Sequence, residues 1–530
     1  MGIPSYYKRL IDRFPKLVKR GFDALPRSDV LLMDFNCLIY QCVRGAAPYR
    51  AEDKDAWEAA LLEAVKAYTV KVWGAAGRPK EVFIAVDGVV PMAKIRQQRL
   101  RRFKAPWWAA QEREAGVRAA ETWDTNAITP GTEFMEKLSI ALRGLCSARG
   151  AGWSVSAADE PGEGEQKLMA WIRALGPQAL AGKEVVVYGL DADLIVLSLL
   201  GLARSAPQVG SWCLLRELAE FERDGRAGVF GALDIKELLR ILLPSGGSMP
   251  AADYMLEYVC AMSFLGNDFL PHSLTVKMRD EGHDKMRAAL QQLHATGARL
   301  VGPGGQVQTR AAASFVAAWT ATEEGMLAEA IEHKYKMRQP PPRTDAERAM
   351  VRVQNLPFEW REECAIATVA TGIGSAGGRV TLTADWREVY YRRWLRGAAP
   401  AAAVRIYVEG LQWILDYYTG KPVSYAWQFP WNLPPLWADL QRGLEEGAEE
   451  ARAPPATTPV APQEQLAMVL PLSSWGLVRR ADLRGLPAKA PAFWPQRFDF
   501  FSAGKRWMWE CEAEVPVLSV ERLRGLLSSQ

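Results

Sequence analysis

The chain has few of the side chains that build disulfide-stapled or zinc-bound domains. Its 530 residues include seven cysteines and four histidines. No two cysteines form a CxxC pair, and the near neighbours Cys37 and Cys42 have no second ligand pair elsewhere. Because zinc fingers hold their ion with two such pairs, a zinc finger is disfavoured. We expect reduced, partly buried thiols in an intracellular protein.

Long apolar runs and the common nucleotide-binding motifs are also missing. The first twenty residues contain no apolar core of a signal peptide, and no stretch is apolar and long enough to span a bilayer. We therefore expect no membrane association. The chain has no GxxxxGK[ST] phosphate loop and no Ser/His/Asp arrangement. Its formal net charge is only +4, so any contact with nucleic acid must come from a local basic patch.

The order of apolar and amphipathic segments predicts an α/β fold. Residues 28–42 and 80–90 read as short β-runs, and residues 56–74 between them have the pattern of a helix. A second helix is predicted at about 164–175, followed by a strand at 183–190. Such alternation predicts a largely parallel sheet covered by helices on both faces.

The second half of the chain has a different pattern. Residues 283–335 are predicted to be helical with one interrupting turn, and residues 385–418 are predicted to form two helices rich in aromatic residues. Residues 447–463 are rich in Ala, Pro and Glu, which is typical of a flexible excursion.

Acidic residues recur where the predicted strands end or where glycine-rich turns begin. A single acid next to glycine is more often a turn or helix-capping residue. Recurrence at strand ends favours a shared site, because the carboxyl ends of parallel strands meet at one edge of the sheet. The set comprises Asp34, Asp87, Glu163, Glu165, Asp191, Asp193 and Asp268.

Seven carboxylates at one edge would repel each other unless cations neutralised them. Oxygen ligands of this kind suit Mg²⁺ or Mn²⁺. Two ions roughly 3.5–4 Å apart would activate water and stabilise the leaving oxygen of a phosphodiester. The acids therefore predict a metal site for phosphoryl transfer.

A basic segment follows Asp87 in the sequence. Between Lys94 and Lys104 there are six basic residues and no acidic one. If this segment is a helix, one of its faces carries four residues at i, i+4, i+7 and i+8: Lys94, Gln98, Arg101 and Arg102. That face would offer several hydrogen-bond donors to a phosphate. A solvated basic surface is the alternative, but the position directly after a candidate metal ligand favours a phosphate pocket.

Aromatic residues provide candidate contacts for unpaired bases. Tyr40 follows Asp34 by six residues, and Tyr425 and Trp427 lie in the run VSYAWQFPWNLPPLW. Aromatic platforms hold single-stranded bases without sequence preference. The competing interpretation is that these side chains build a core, as most aromatic residues do.

Several of these segments together resemble one family. MGIPSYYKRLIDRFP, LLMDFNCLIYQC, VDGVVPMAKIRQQRLRRFK, TNAITPGTEFM, DEPGEGEQKLM, YGLDADLIVLSL and FLGNDFLPHS are similar to the first conserved region of the XRN family of 5′→3′ exoribonucleases. YVEGLQWILDYY, PQEQLAMVLP and FWPQRFDFFSAGKRWMWE resemble its second conserved region. The match runs nearly from end to end and in order.

The resemblance implies a fold and a division of the chain. The fold would be a PIN-like, flap-nuclease-like α/β domain with a twisted, mainly parallel sheet, and a mostly helical, aromatic-rich second region would pack against it. The parts would be a nuclease domain at 1–295, a helical connection at 296–384 and the second conserved region at 385–530. This would be a compact member, without the long C-terminal extensions of many relatives.

The same resemblance implies residue roles. All seven acids match the family's catalytic and metal-binding set, and Lys94, Gln98, Arg101 and Arg102 match its 5′-phosphate pocket. Asn36 and Asn126 match motif residues close to the metal ions or the substrate. The chain departs from the family pattern at Cys37, where a glycine is usual, and at Tyr40, where a base-stacking histidine is usual.

We therefore expect a Mg²⁺-dependent, processive 5′→3′ exoribonuclease with two ions. Its substrate would be single-stranded RNA with a 5′-monophosphate, and its products mononucleotides. A flap-type structure-specific endonuclease and an inactive RNA-binding scaffold are the alternatives. We expect a monomer in the cytoplasm rather than the nucleus, and the sequence identifies no protein partner.

Overall fold

The computed structural model has a seven-stranded sheet in the first half of the chain. It describes residues 5–20, 25, 27–119, 121–218, 229–244, 249–336, 342–369, 380–447 and 451–528. The strands are β1 (Val18–Arg20), β2 (Val30–Asp34), β3 (Glu81–Ala85), β4 (Trp153–Ser156), β5 (Glu184–Tyr188), β6 (Ser211–Glu217) and β7 (Phe230–Asp234). Their order in the sheet is β1-β7-β6-β5-β2-β3-β4.

Five neighbouring strands run parallel. β4, β3, β2, β5 and β6 pair in parallel, whereas β7 pairs antiparallel with both β6 and β1. From β2 the chain builds outward through β3 to β4, and later through β5 to β6 on the other side. The crevice between β2 and β5 is thus a topological switch point, where open α/β sheets bind ligands. The prediction of a mainly parallel sheet is confirmed.

Helices cover both faces of this sheet. They are α1 (Tyr6–Arg13), α2 (Asn36–Gly45), α3 (Lys54–Ala75), α4 (Met92–Glu114), α5 (Glu133–Arg149), α6 (Gly164–Leu175) and α7 (Asp193–Arg204). Alternate residues of β2 enter different cores: Leu32 packs with the cluster around α7, and Leu31 packs with the cluster around α5. A strand buried on both faces reads as a continuous apolar run, as β2 does up to Met33.

One predicted β-run is too long. Residues 28–42 were predicted as strand, but β2 ends at Asp34 and α2 begins at Asn36. In α2 the buried residues are Leu38, Ile39 and Cys42, which share one helical face. A short apolar run has the same composition in a buried strand and in a buried helix turn, so the boundary is not visible in the pattern.

The remaining chain is mainly helical, as predicted. Helices span Ile235–Leu242, Ala251–Ser263, Gly282–Ala295, Thr309–Thr320, Glu323–Lys336, Asp345–Gln354, Leu356–Trp360, Trp386–Val389, Pro400–Thr419, Trp437–Glu446, Pro462–Val469, Ala481–Arg484, Leu486–Lys489 and Val520–Ser528. A π-helical turn at Tyr390–Trp394 continues the short helix before it. Two small hairpins join Ala367–Val369 to Val380–Leu382 and Phe500–Phe501 to Glu512–Ala513. Across the described ranges, no helix has the length and apolarity needed to span a membrane.

The C-terminal region packs against α4 through buried polar contacts. The fully buried Arg99 guanidinium donates to the carbonyl oxygens of Met468 at 2.7 Å and Pro516 at 2.8 Å, and also to that of Phe493. Such acceptors compensate the cost of burying a charge. These contacts fix α4 between the sheet and the C-terminal region.

The segment predicted to be a flexible excursion contacts the rest of the protein where it is described. Residues 448–450 lie outside the described residues, and residues 451–461 form neither helix nor strand. Ala451 and Val460 are nevertheless buried, and the Ala451 amide donates to Val307 O at 2.9 Å. The described part of this segment is therefore packed against the protein rather than projecting from it.

Candidate active site

The candidate site lies at the carboxyl edge of the sheet, around the switch point between β2 and β5. Asp34 is the last residue of β2, Asp191 follows β5, and Glu165 lies in the first turn of α6. One carboxylate oxygen from each of these three residues lies within 4.8 Å of the other two. This is the spacing expected when three oxygens share one cation.

Gly164 allows this close approach. A Cβ atom at Gly164 would lie 2.6 Å from Asp34 Oδ1 and 2.9 Å from Ala85 O. Since real Cβ atoms essentially never come within 3.0 Å of a backbone oxygen, any side chain here would displace α6 or Asp34. The glycine thus places the first turn of α6, with Glu163 and Glu165, directly against the strand end.

Lys94 joins two further acids of the set. Its Nζ lies 2.6 Å from Glu163 Oε2 and 2.7 Å from Asp268 Oδ2, and both carboxylate side chains are almost fully buried. Tyr417 donates its hydroxyl proton to the other oxygen of Glu163 at 2.8 Å. A residue predicted to bind phosphate is therefore hydrogen-bonded to the acids themselves.

Asp87 is held by Asn36 and by the start of α6. Asn36 Nδ2 donates to Asp87 Oδ2 at 2.8 Å, and the Asp87 amide donates to Asn36 Oδ1 at 3.2 Å. The Gly164 amide donates to Asp87 Oδ1 at 2.7 Å. Both ends of the Asn36 amide are engaged in orienting Asp87. The contact of Asn36 with metal-bound groups or RNA stays a prediction.

The acids raise one another's pKa values. Burial is the largest cause of the raised pKa of Asp34, and the neighbouring Asp87 and Asp191 add to it. Burial and the Asp268 carboxylate raise the pKa of Asp193 to about 7. Burial alone would lower the pKa of Lys94, but Asp268 and Glu163 raise it well above its usual value. The cluster holds more negative charge than Lys94 compensates.

The donor set fits a hard divalent cation. Among the described residues, Glu165 Oε1 and Asp193 Oδ1 are buried oxygens without a hydrogen-bond partner. A buried, unpaired carboxylate oxygen is costly unless a cation compensates it. Oxygen-only ligands favour Mg²⁺ or Mn²⁺ over Zn²⁺. The acid set can therefore hold such an ion and supply the charge that balances it.

Divalent cations are expected to stabilise the protein more at high pH than at low pH. The folded Asp193 carboxyl keeps its proton up to about pH 7, whereas an unfolded aspartate loses it near ~3.9. At pH 5.5 a metal ion must displace that proton, and at pH 8 it need not. The midpoint of thermal unfolding in Mg²⁺ and in EDTA, compared at both pH values, measures this. A metal-induced shift that is equal at the two pH values would contradict it.

The predicted phosphate-binding face of α4 is divided in the structure. Gln98 and Arg102 are buried and Arg101 is exposed, while Lys94 is engaged with the acids. Gln98 Oε1 is a buried atom without a hydrogen-bond partner among the described residues. Burial lowers the pKa of Arg102 to about 10, and nearby Tyr40 opposes this. Tyr40, Gln98 and Arg102 thus remain candidates for one pocket beside the acids.

Asn126 positions Arg102. Arg102 Nη1 donates to Asn126 Oδ1 at 2.7 Å, and Asn126 Nδ2 donates to Ser474 Oγ at 2.8 Å. Both ends of the Asn126 amide are therefore used within the protein. Sequence reasoning missed Ser474, as well as Gly164 and Tyr417, because these residues act through partners that are distant in sequence.

The two aromatic candidates in the later motif have different surroundings. Trp427 is buried and stacks on Trp413 with ring centroids 5.2 Å apart, and Trp413 stacks in turn on Tyr417 at 4.9 Å. The stacking of Trp427 on RNA stays a prediction, and in the structure its ring belongs to the core that supports Glu163. Tyr425 is partly exposed, and burial and nearby Glu163 raise its pKa.

Two family models match the chain. The model described as the XRN 5′-3′ exonuclease N-terminus covers residues 1–217, and the model described as the Xrn1 helical domain covers residues 376–529. The first match contains Asp34, Asp87 and the acids of α6 and of the turn after β5. The second contains Tyr417 and Ser474.

Curated proteins named 5′-3′ exoribonuclease 2 are similar to the chain. The Arabidopsis thaliana protein is 24% identical over 99% of this chain and 66% of its own length. The Candida albicans protein is 25% identical over 99% of this chain and 72% of its own length. The Saccharomyces cerevisiae protein is 31% identical over 54% of this chain and 35% of its own length. The chain thus spans between about a third and about three quarters of these relatives.

Proposed function

We propose that this chain, which belongs to the XRN family of 5′-3′ exonucleases, is a metal-dependent 5′→3′ exoribonuclease. The observation that carries the proposal is the grouping of Asp34, Glu165 and Asp191 within 4.8 Å at the switch point of the sheet. A basic helix, α4, begins beside this group. Metal-supported hydrolysis of a phosphodiester is the chemistry that such a donor set provides.

The cofactor would be Mg²⁺ or Mn²⁺, with two ions held by the seven acids. Bound ions would neutralise the carboxylates and lower the pKa of a water molecule. The chain's own residues would align the acids: Lys94 and Tyr417 orient Glu163, and Asn36 orients Asp87. These contacts hold the acids in place before RNA binds, which is the form of preorganisation that lowers a barrier.

The substrate would be single-stranded RNA with a 5′-monophosphate. Arg102 and Gln98 would bind the phosphate, with Arg101 at the edge of the pocket, and Tyr40 would stack on the first base. Arg102 and Gln98 would offer donors to one phosphate, and their buried position would exclude a cap or triphosphate by size and charge. Repeated removal of one mononucleotide from the same strand would make the enzyme processive. We further propose that it acts as a monomer in the cytoplasm.

The form of the 5′ end provides the test of this proposal. End-labelled RNA with a 5′-monophosphate, 5′-hydroxyl or cap is incubated with the protein in Mg²⁺ or in EDTA, beside the Asp191→Ala/Asp193→Ala variant. We expect rapid loss of the monophosphorylated RNA alone, and none in EDTA or with the variant.

The other outcomes separate the alternatives. Cleavage of RNA or branched DNA with a blocked 5′ end would indicate a flap-type endonuclease. Binding of RNA without metal-dependent degradation would indicate an inactive scaffold. Equal degradation of capped and monophosphorylated RNA would refute the phosphate pocket while leaving the metal chemistry.

A further inference from the structure

A second basic surface of α4 faces away from the proposed phosphate pocket. Lys94, Gln98 and Arg102 have i, i+4 and i+8 spacing on one face, whereas Arg96, Leu100 and Lys104 have the same spacing on another. The second face lines a cleft that is closed by the loop 267–279 and by residues 503–512. We call it the α4–Trp509 cleft.

The α4–Trp509 cleft is lined by an excess of cations. Its cavity volume is about 210 Å³. Its acids are Asp268, Glu510 and Glu512. Its cations are Arg96, Arg101, Lys104, Lys277, Arg279 and Lys505. The charge excess favours an anion.

Several of these cations are held by neutral oxygens. Lys104 Nζ donates to Trp509 O at 2.7 Å and to Cys511 O at 2.6 Å, and Lys277 Nζ donates to Gly504 O at 2.9 Å. Carbonyl oxygens fix the position of an ammonium group without neutralising it. Arg279, by contrast, is paired with Glu510. Lys104 and Lys277 can therefore each carry a charge that a bound anion would compensate, whereas Lys505 Nζ lies 3.8 Å from Glu512 Oε1.

Two further observations point to a ligand. Arg96 Nε and Gln97 Oε1 are buried atoms in the cleft lining that lack hydrogen-bond partners within the described part of the chain. Burial, followed by the nearby Arg279, lowers the pKa of Lys277 to about 7, and burial lowers that of Lys104 to about 8. A bound anion would favour the charged forms of both lysines and raise their pKa values.

The cleft also offers an aromatic surface. Trp509 is 50% exposed, which is unusual for so large an apolar side chain. Trp509 is among the residues that line the cleft beside the cations. Cations beside an exposed indole suit a nucleotide, because the phosphate needs donors and the base needs a stacking surface.

The cleft is contiguous with the candidate active site. Asp268 belongs to the seven acids, Arg101 borders the proposed phosphate pocket, and both line the cleft. An exonuclease makes one nucleoside 5′-monophosphate at each step, and this product must leave without displacing the RNA strand. We propose that the α4–Trp509 cleft binds the released nucleoside 5′-monophosphate, an assignment that rests on the proposed function.

Binding of AMP in the presence of RNA tests the assignment. The full chain in EDTA is saturated with a 5′-monophosphorylated oligonucleotide, and labelled AMP is added in equilibrium dialysis. We expect one AMP per chain. The Lys277→Met/Lys505→Met variant is expected to bind AMP at least about tenfold more weakly, since two charged contacts are lost. Its affinity for the oligonucleotide is expected to be unchanged.

Three other variants guard against a folding artefact. Trp509→Ala removes an exposed ring and is expected to weaken the binding of AMP severalfold. The binding of inorganic phosphate should be unaffected by this substitution. Trp360→Ala, which removes another exposed tryptophan outside the cleft lining, and Lys489→Met, which removes an exposed lysine, are the matched controls and should bind AMP as the parent does.

The possible results separate the cleft from the proposed function. No AMP binding beside saturating oligonucleotide, or undiminished binding by both cleft variants, would overturn the assignment even if RNA is degraded. The parent chain could also bind one AMP, with binding lost in the cleft variants, but fail to degrade RNA. That result would keep the cleft as a nucleotide-binding site and reject its role as a product site.

Discussion

Replacing Asp34 with asparagine is expected to lower the rate of RNA hydrolysis by at least about 10³-fold. Asp34 ends β2 and contributes one of the three oxygens grouped within 4.8 Å. The substitution keeps the shape of the side chain but removes the charge that holds a cation. Each ~1.4 kcal/mol lost from the stabilisation of the transition state costs a factor of ten in rate.

The fold is expected to survive this change. Burial and the neighbouring Asp87 raise the pKa of Asp34, so the ionised carboxylate is unfavourable in the metal-free protein. Asp34→Asn should therefore leave thermal unfolding in EDTA unchanged or raise its midpoint. Asp159→Asn, which neutralises an exposed carboxylate paired with Arg143, is the control and should retain full activity. Activity of Asp34→Asn within tenfold of the parent would exclude the acid cluster as the metal site.

Replacing Lys94 with methionine is expected to have the largest effect on stability. Its ammonium group lies 2.6 Å from Glu163 and 2.7 Å from Asp268, and both side chains are almost fully buried. Removing one partner of a buried ion pair costs roughly 3–5 kcal/mol, because the remaining charge is left without compensation. We expect the urea midpoint of Lys94→Met in EDTA to fall accordingly, and RNA hydrolysis to be lost as Glu163 and Asp268 move apart.

Two comparisons identify the cause of the Lys94→Met effect. Mg²⁺ should restore part of the lost stability, since a cation replaces the missing positive charge. Lys8→Met breaks an exposed pair with Asp12 at 3.9 Å and should cost less than about 1 kcal/mol. A Lys94→Met protein as stable as Lys8→Met would mean that the acids do not depend on the ammonium group.

The acid set was predictable from sequence because its position follows from the strands. Asp34 and Asp191 come at the ends of apolar runs that are typical of buried strands, and parallel strands bring their carboxyl ends together. The spacing of Glu163 and Glu165 at a helix start required no knowledge of distant residues. Local pattern therefore determines this part of the site.

The functions of the basic and aromatic residues were less predictable, because they depend on distant partners. Arg99 and Arg102 are equally basic neighbours on α4, but Arg99 is buried against carbonyl oxygens of Met468, Phe493 and Pro516. Nothing near Arg99 in sequence signals those contacts. Trp427 likewise enters the core because Trp413 offers it a stacking partner.

The acid cluster is proposed to remove one nucleotide at a time from a phosphorylated 5′ end. The most direct measurement is the first labelled product released in Mg²⁺ from single-stranded RNA that carries ³²P in its 5′-monophosphate. We expect the label to appear at once as a mononucleotide and EDTA to abolish its release. Release of the label in an oligonucleotide, or a labelled end that stays intact while the RNA shortens from its 3′ end, would contradict it.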